Sequence, residues 1–170
     1  MLVDFHSLFE RHSGDVYRFA LYLSGDPSLA EEITQETFVR AWVTPGEIRG
    51  GSVKAYLLTI ARNLYRAERK RAARHVALDG ALPDPKPSAD KVVGGQLELD
   101  SVLEALQSLP EADRAALLMH AQDGMPHEAI ASALGLSLAA VKVRVHRARI
   151  KLSRKSNKAA VRLVTGGGWP

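Results

Sequence analysis

Between His127 and Leu152, two stretches of helical apolar spacing meet across a single glycine, Gly135. The first stretch carries Ala131, small enough for a close helix crossing, and the second carries Val141, an apolar residue placed to seat on a core. This spacing predicts a helix-turn-helix: a short helix over Pro126 to Leu134, then a longer one capped by Ser137 and running to about Asn157. At about 100° per residue, Leu138, Val141, Val145, Ala148 and Leu152 fall on one side of the second helix. The opposite side presents Ala139, Val143, His146, Arg147 and Ile150. Lys142 and Arg149 flank it on one edge, Arg144 and Lys151 on the other. A helix that reads duplex DNA needs this arrangement, with side chains for base edges in the middle and cations for phosphate beside them. Ala139 and Val143 suit thymine methyl groups, and Arg147 suits guanine.

Strand-type alternation is scarce in the rest of the chain, and aromatics make up only 6% of it. The fold class expected is all-α: two small helical domains joined by a flexible linker, the C-terminal one a helix-turn-helix. Helical spacing is read over Phe5–Leu23, from an Asp26 cap and Pro27 to Trp42, and from about Val53 to Arg74. It resumes over Leu97–Leu106, and Ser108-Leu-Pro-Glu111 fits a capping box opening a helix that reaches His120. Between the two groups, His75–Gly95 holds Pro83, Pro85, Pro87 and three glycines, which suit an extended linker. The domains expected are therefore 1–74 and 96–156, with a linker over 75–95 and a disordered tail over 157–170.

Charge is unevenly spread although the net value is only +4. Residues 62–74 hold six basic residues and one acidic, and residues 129–170 hold nine basic and no acidic ones. The segments before, between and around them are acidic on balance, so two separate contacts with a polyanion are expected. The chain has no cysteine, which excludes disulfides, cysteine-ligated zinc and thiol catalysis. No apolar run approaches the roughly 18 residues a membrane span needs, so no direct membrane insertion is expected. His127-Glu128 matches the start of H-E-x-x-H, but Ala131 stands where the second zinc ligand belongs. No P-loop or G-x-S-x-G occurs. These readings point to a protein that is not an enzyme and needs no cofactor or metal.

Both halves resemble the extracytoplasmic-function branch of the sigma-70 family. The resemblance rests on Ala30-Glu-Glu-Ile-Thr-Gln-Glu-Thr-Phe-Val-Arg-Ala-Trp42 and Ala55-Tyr-Leu-Leu-Thr-Ile-Ala-Arg-Asn63 in the first half. In the second it rests on Leu109-Pro-Glu-Ala-Asp-Arg-Ala and Val141-Lys-Val-Arg-Val-His-Arg-Ala-Arg149. It implies a sigma factor that binds core RNA polymerase and directs initiation at promoter DNA. Glu31, Glu32, Gln35, Glu36 and Arg40 would meet the clamp helices of the β′ subunit, the β subunit would be a further part of the core contact, and the linker would run through the polymerase toward the RNA exit region. The loop Thr44–Ser52 would capture a base flipped from the −10 element, with Arg49, Lys54, Arg62 and Asn63 contacting bases or phosphates. Lys142, Val143, His146 and Arg147, with Arg144 and Arg149, would read the −35 element. An anti-sigma factor and a cytoplasmic location are implied by the same resemblance. Ala140 and Val143 depart from the frequent Thr and Ser, and Tyr56 and Ala67 from the frequent Trp and Asp. A conventional helix-turn-helix regulator, with an N-terminal sensing or dimerisation domain, is the alternative.

Overall fold

Most of the helix boundaries follow from local caps and glycines, with two differences from the sequence reading. The computed structural model describes residues 4–44, 52–80, 95–155 and 162. The helices are α1 (Phe5–Ser24), α2 (Pro27–Val43), α3 (Val53–Asp79), α4 (Gly95–Gln107), α5 (Glu111–Ala121), α6 (His127–Leu134) and α7 (Leu138–Ser153). No strand occurs among the described residues. The Asp4 carboxylate caps α1 by accepting from His6 N. Asp26 accepts from Ser28 N and Leu29 N at the start of α2, with Pro27 at the first position. Ser52 and Ser137 cap α3 and α7 in the same way, accepting from Ala55 N and Ala140 N. At Ser108 the expectation fails. Pro110 occupies the N-cap of α5 with no side-chain cap bond, and the Ser108 hydroxyl instead donates to Ala105 O in the last turn of α4. A second difference concerns α3, which continues past Arg74 to Asp79 and ends on the left-handed Gly80. The last stretch, His75-Val-Ala-Leu-Asp79, holds no proline, so nothing there stops a helix already formed.

Helices α1, α2 and α3 form a three-helix bundle. Its buried centre holds Val16, Phe19 and Leu23 from α1, Ile33 and Phe38 from α2, and Leu57, Leu58 and Ala61 from α3. Helices α4 to α7 form the second unit around Leu106, Leu117, Met119, Ile130, Val141, Val145 and Leu152. Four of the five residues expected to seat α7 are buried, and Leu138 at its first turn is not. The two units pack on each other, α1 against α4 and α5, and α3 against α6.

The seam between the units is closed by polar groups with defined partners. The last carbonyls of α1 lack donor partners within their own helix. Arg114 of α5, itself buried, donates from Nε to Leu23 O at 2.8 Å. Its Nη1 donates to Leu109 O at 2.8 Å and its Nη2 to the Tyr65 hydroxyl at 3.1 Å. Gln107 Nε2 reaches Tyr22 O and Leu23 O. A cation at a helix C-terminus also meets the negative end of the helix dipole. Burial lowers the pKa of Arg114, partly offset by Tyr65 and Glu111. Gly25, which follows α1, has φ +71°, and a Cβ there would lie 3.1 Å from the Gln107 side chain. The left-handed backbone favours glycine at this point, and a Cβ would push on the Gln107 side chain that bonds the end of α1.

Arg114→Met should therefore lower the unfolding free energy by about 3 kcal/mol, because three acceptors lose a charged donor inside the structure. A urea titration measures this, and a midpoint equal to wild type would contradict the assignment.

Candidate nucleic-acid interface

Helix α7 is held at its start by the Ser137 cap and along its length by Val141, Val145, Ala148 and Leu152. That seating fixes which side chains face outward. Lys142, Val143, His146, Arg147, Arg149 and Ile150 are exposed, and Arg144 is partly covered. Val143 is 56% exposed although it is apolar, so an unpaired methyl surface lies at the middle of a cationic face. The two arginines of adjacent turns share one carboxylate. Arg144 Nη1 donates to Asp113 Oδ1 at 2.8 Å, and Arg147 Nε donates to Asp113 Oδ2 at 3.2 Å. Lys151, the other edge cation, donates to Ser108 O and so braces α7 against the α4–α5 turn. At the opposite end of the unit, the rings of His120 and His127 stack with centroids 4.5 Å apart. The pKa of His127 is lowered, by desolvation first and then by the neighbouring His120 and Lys142.

On α2, Glu31, Glu32, Gln35, Glu36 and Arg40 are all exposed, as their spacing on one side of a helix demands. Arg40 Nε donates to Glu36 Oε1 at 3.1 Å. Beside this polar face, Val39, Val43 and Trp42 are exposed, Trp42 by 60%. The Trp42 ring meets Phe5 edge-on at 5.1 Å, and Phe9 meets Phe38 at 4.9 Å. The polar positions were legible in the sequence, but the apolar border through Val39 and Val43 was not, since a valine on helical spacing reads first as core.

The α3 candidates are distributed differently. Asn63 is exposed, and Arg49 lies outside the described residues. Arg62 is buried in the seam, where its Nε and Nη2 both donate to the Glu111 carboxylate at 2.8 Å. Lys54 Nζ lies 3.3 Å from Asp123 and 3.5 Å from Asp15. Two candidate phosphate-binding cations of the first unit are thus paired with carboxylates of the second. Glu111 has the spacing of a cap residue and Asp123 carries no local signal, so this pairing is invisible in the sequence. Asp123 Oδ2 has no partner, and the side chain is 1% exposed. Desolvation raises its pKa from 3.8 to about 6 despite the attraction of Lys54.

Comparison with known proteins follows the division into two units. Residues 8–75 match the family described as sigma-70 region 2, and residues 99–152 match sigma-70, region 4. The ECF RNA polymerase sigma factor EcfG of Rhodopseudomonas palustris is 35% identical over 137 residues, covering 79% of this chain and 75% of that protein. The ECF RNA polymerase sigma factor SigL of Mycobacterium tuberculosis is 34% identical over 146 residues, covering 82% and 81%. Among solved structures, the sigma factor RpoE of Bartonella quintana, in complex with the anti-sigma factor NepR, superposes with a TM-score of 0.76 at 29% identity. It covers 89% of this chain and 95% of that one.

A pH dependence follows from Asp123. The folded state holds its proton more tightly than the unfolded chain, so between pH 3.8 and about 6 the folded form binds more protons. Stability supplied by protonated Asp123 is therefore complete at the low end of this window and is lost as pH rises through about 6. The stability of wild type relative to Asp123→Asn should decline across that window, as read by urea titrations at several pH values. A flat difference would contradict the burial of an ionisable carboxyl at this point.

Proposed function

The chain belongs to the extracytoplasmic-function sigma factors of the sigma-70 family, and on that basis we propose how its faces divide the work of promoter-directed initiation. It is a sigma factor that binds core RNA polymerase, and it acts by binding, in the cytoplasm, with no reaction of its own. Residues 1–74 take core enzyme and the −10 element, residues 96–156 take the −35 element, and residues 75–95 join them. The observation that carries the reading is the outward face of α7, with the apolar Val143 flanked by Lys142, His146, Arg147 and Arg149. The methyl groups of Val143 suit thymine, and the flanking cations suit phosphate and guanine.

Glu31, Glu32, Gln35, Glu36 and Arg40 meet the β′ clamp helices, with Trp42 and Val39 as the apolar border of the same contact. Lys54, Arg62, Asn63 and Arg49 serve the −10 element. The engagement of Lys54 by Asp123 and of Arg62 by Glu111 means that the packed arrangement withholds these cations from DNA. The two units must separate before both promoter elements are held. An anti-sigma factor controls the protein, a reading supported by the complex in which its structural relative was solved. A conventional regulator with a sensing domain is not favoured, since region 2 and region 4 occur together and in order.

Transcription in vitro tests this directly. Core polymerase from the host, given this protein and fragmented host DNA, should yield discrete transcripts that core alone does not make. Absence of new transcripts with active core and folded protein would overturn the reading. Gln35→Ala combined with Glu36→Ala should weaken core binding by about tenfold, the effect of losing a small group of contact residues. Co-purification of the double variant at wild-type levels would refute the clamp-helix assignment.

Glu111→Gln combined with Asp123→Asn should enlarge the radius of gyration in solution scattering. The same pair should raise affinity for a single-stranded −10 oligonucleotide, because two cations are released. Unchanged affinity in an expanded protein would remove Lys54 and Arg62 from the DNA-binding set.

A further inference from the structure

Asp113 is 1% exposed, yet both of its carboxylate oxygens are spent on a helix whose outer face is open to solvent. The two partners differ in character. Arg144 is mostly covered, and its Nε is buried without a partner, so this side chain pins α7 to α5. Arg147 is 59% exposed and gives Asp113 only its Nε. Its two terminal nitrogens have no partner among the described residues.

We propose that Asp113 is a positioning residue for promoter reading, holding Arg147 by Nε so that the terminal nitrogens face DNA as a fixed fork. The inference rests on the reading of α7 as the −35 helix. A guanidinium is planar, so anchoring Nε sets the plane and direction of the two remaining nitrogens. A guanine presents O6 and N7 side by side in the major groove, and a pre-aimed fork matches that pair bidentately. A free arginine must give up its rotamer freedom when it binds, whereas one already held loses less. The anchor also tolerates the ionic strength at which DNA is bound, because a carboxylate shielded from solvent is screened much less than an exposed one. Arg144, one turn earlier, takes the other oxygen and keeps the carboxylate from turning.

The experiment is transcription in vitro with host core polymerase on a pool of promoters whose −35 element is randomised, read by transcript sequencing. Four proteins are compared: wild type, Arg147→Ala, Asp113→Asn and the double variant. Arg147→Ala should reduce preference for guanine at one position by about tenfold, the worth of one bidentate pair. Asp113→Asn should reduce preference at that same position several-fold and leave other positions as they were. In the Arg147→Ala background it should change nothing further there. If Asp113→Asn lowers output evenly across the pool with the base profile intact, Asp113 only holds α7 in place and the proposal is overturned. If Arg147→Ala leaves every −35 preference unchanged, the reading of Arg147 itself fails and the proposal falls with it.

A second measurement needs no variant to fold. In the wild-type protein, the Arg147 Nε–H resonance should exchange slowly with water, as expected for a proton shared with a buried carboxylate. Exchange as fast as that of a solvent-exposed arginine would refute the anchor.

Discussion

The end of α1 is the joint on which the structure turns. A helix that stops inside a protein leaves carbonyls that must find donors, and here the donors come from the other half of the chain. Arg114 and Gln107 supply them at Leu23 and Tyr22. Arg114 simultaneously holds Leu109 O, just before α5 begins, and the Tyr65 hydroxyl on α3. One guanidinium thereby joins three helices from two units. The neighbouring ion pairs, Arg62 with Glu111 and Lys54 with Asp123, lie on the same seam and depend on the register this joint sets.

This arrangement gives the cations of the first unit two possible uses. A basic side chain that binds phosphate must be available, and one that is left unpaired in a buried seam is costly. Pairing with carboxylates of the second unit meets the second requirement while the units are together. If Lys54 and Arg62 serve the −10 element as proposed, the carboxylates also compete with DNA for the same cations. Under that reading, the affinity of the protein for a promoter contains the work of opening the seam. The buried Asp123 limits that work, because its desolvation opposes the ion pair it makes with Lys54.

The sequence carried the helices well, and for a physical reason. Asp26-Pro27, Ser137 and Gly135 are local signals, and local hydrogen bonding decides them. The outward face of α7 followed from periodicity alone, since Val141, Val145, Ala148 and Leu152 fix its rotation. What periodicity could not give were partners distant in sequence. Ser108 and Glu111 had the spacing of a capping box, but Pro110 lies between them, and Glu111 is drawn across the seam to Arg62 instead. Arg62 looked like a surface cation because arginine usually is one. Asp113 had no local reason to be buried, and only the crossing of α5 and α7 shows why it is. The C-terminal extension of α3 is not legible because the prolines and glycines that mark the linker begin only at Gly80, so the composition does not fix where between Arg74 and Gly80 the helix stops.

That extension changes how charge is presented. From Tyr65 onward α3 leaves the core, and most of its remaining side chains to Asp79 are exposed. Its helical state is inherited from the buried turns before it, which have already met the cost of nucleation. The five exposed basic residues from Arg66 to Arg74 span about 14 Å as a helix at 1.5 Å per residue, but about 30 Å if the same segment is drawn out. Folding therefore roughly doubles the linear charge density of this stretch, bringing it nearer to that of a nucleic acid backbone. That density is a property of the folded bundle, and it falls when Leu57, Ala61 and Tyr65 leave their seats.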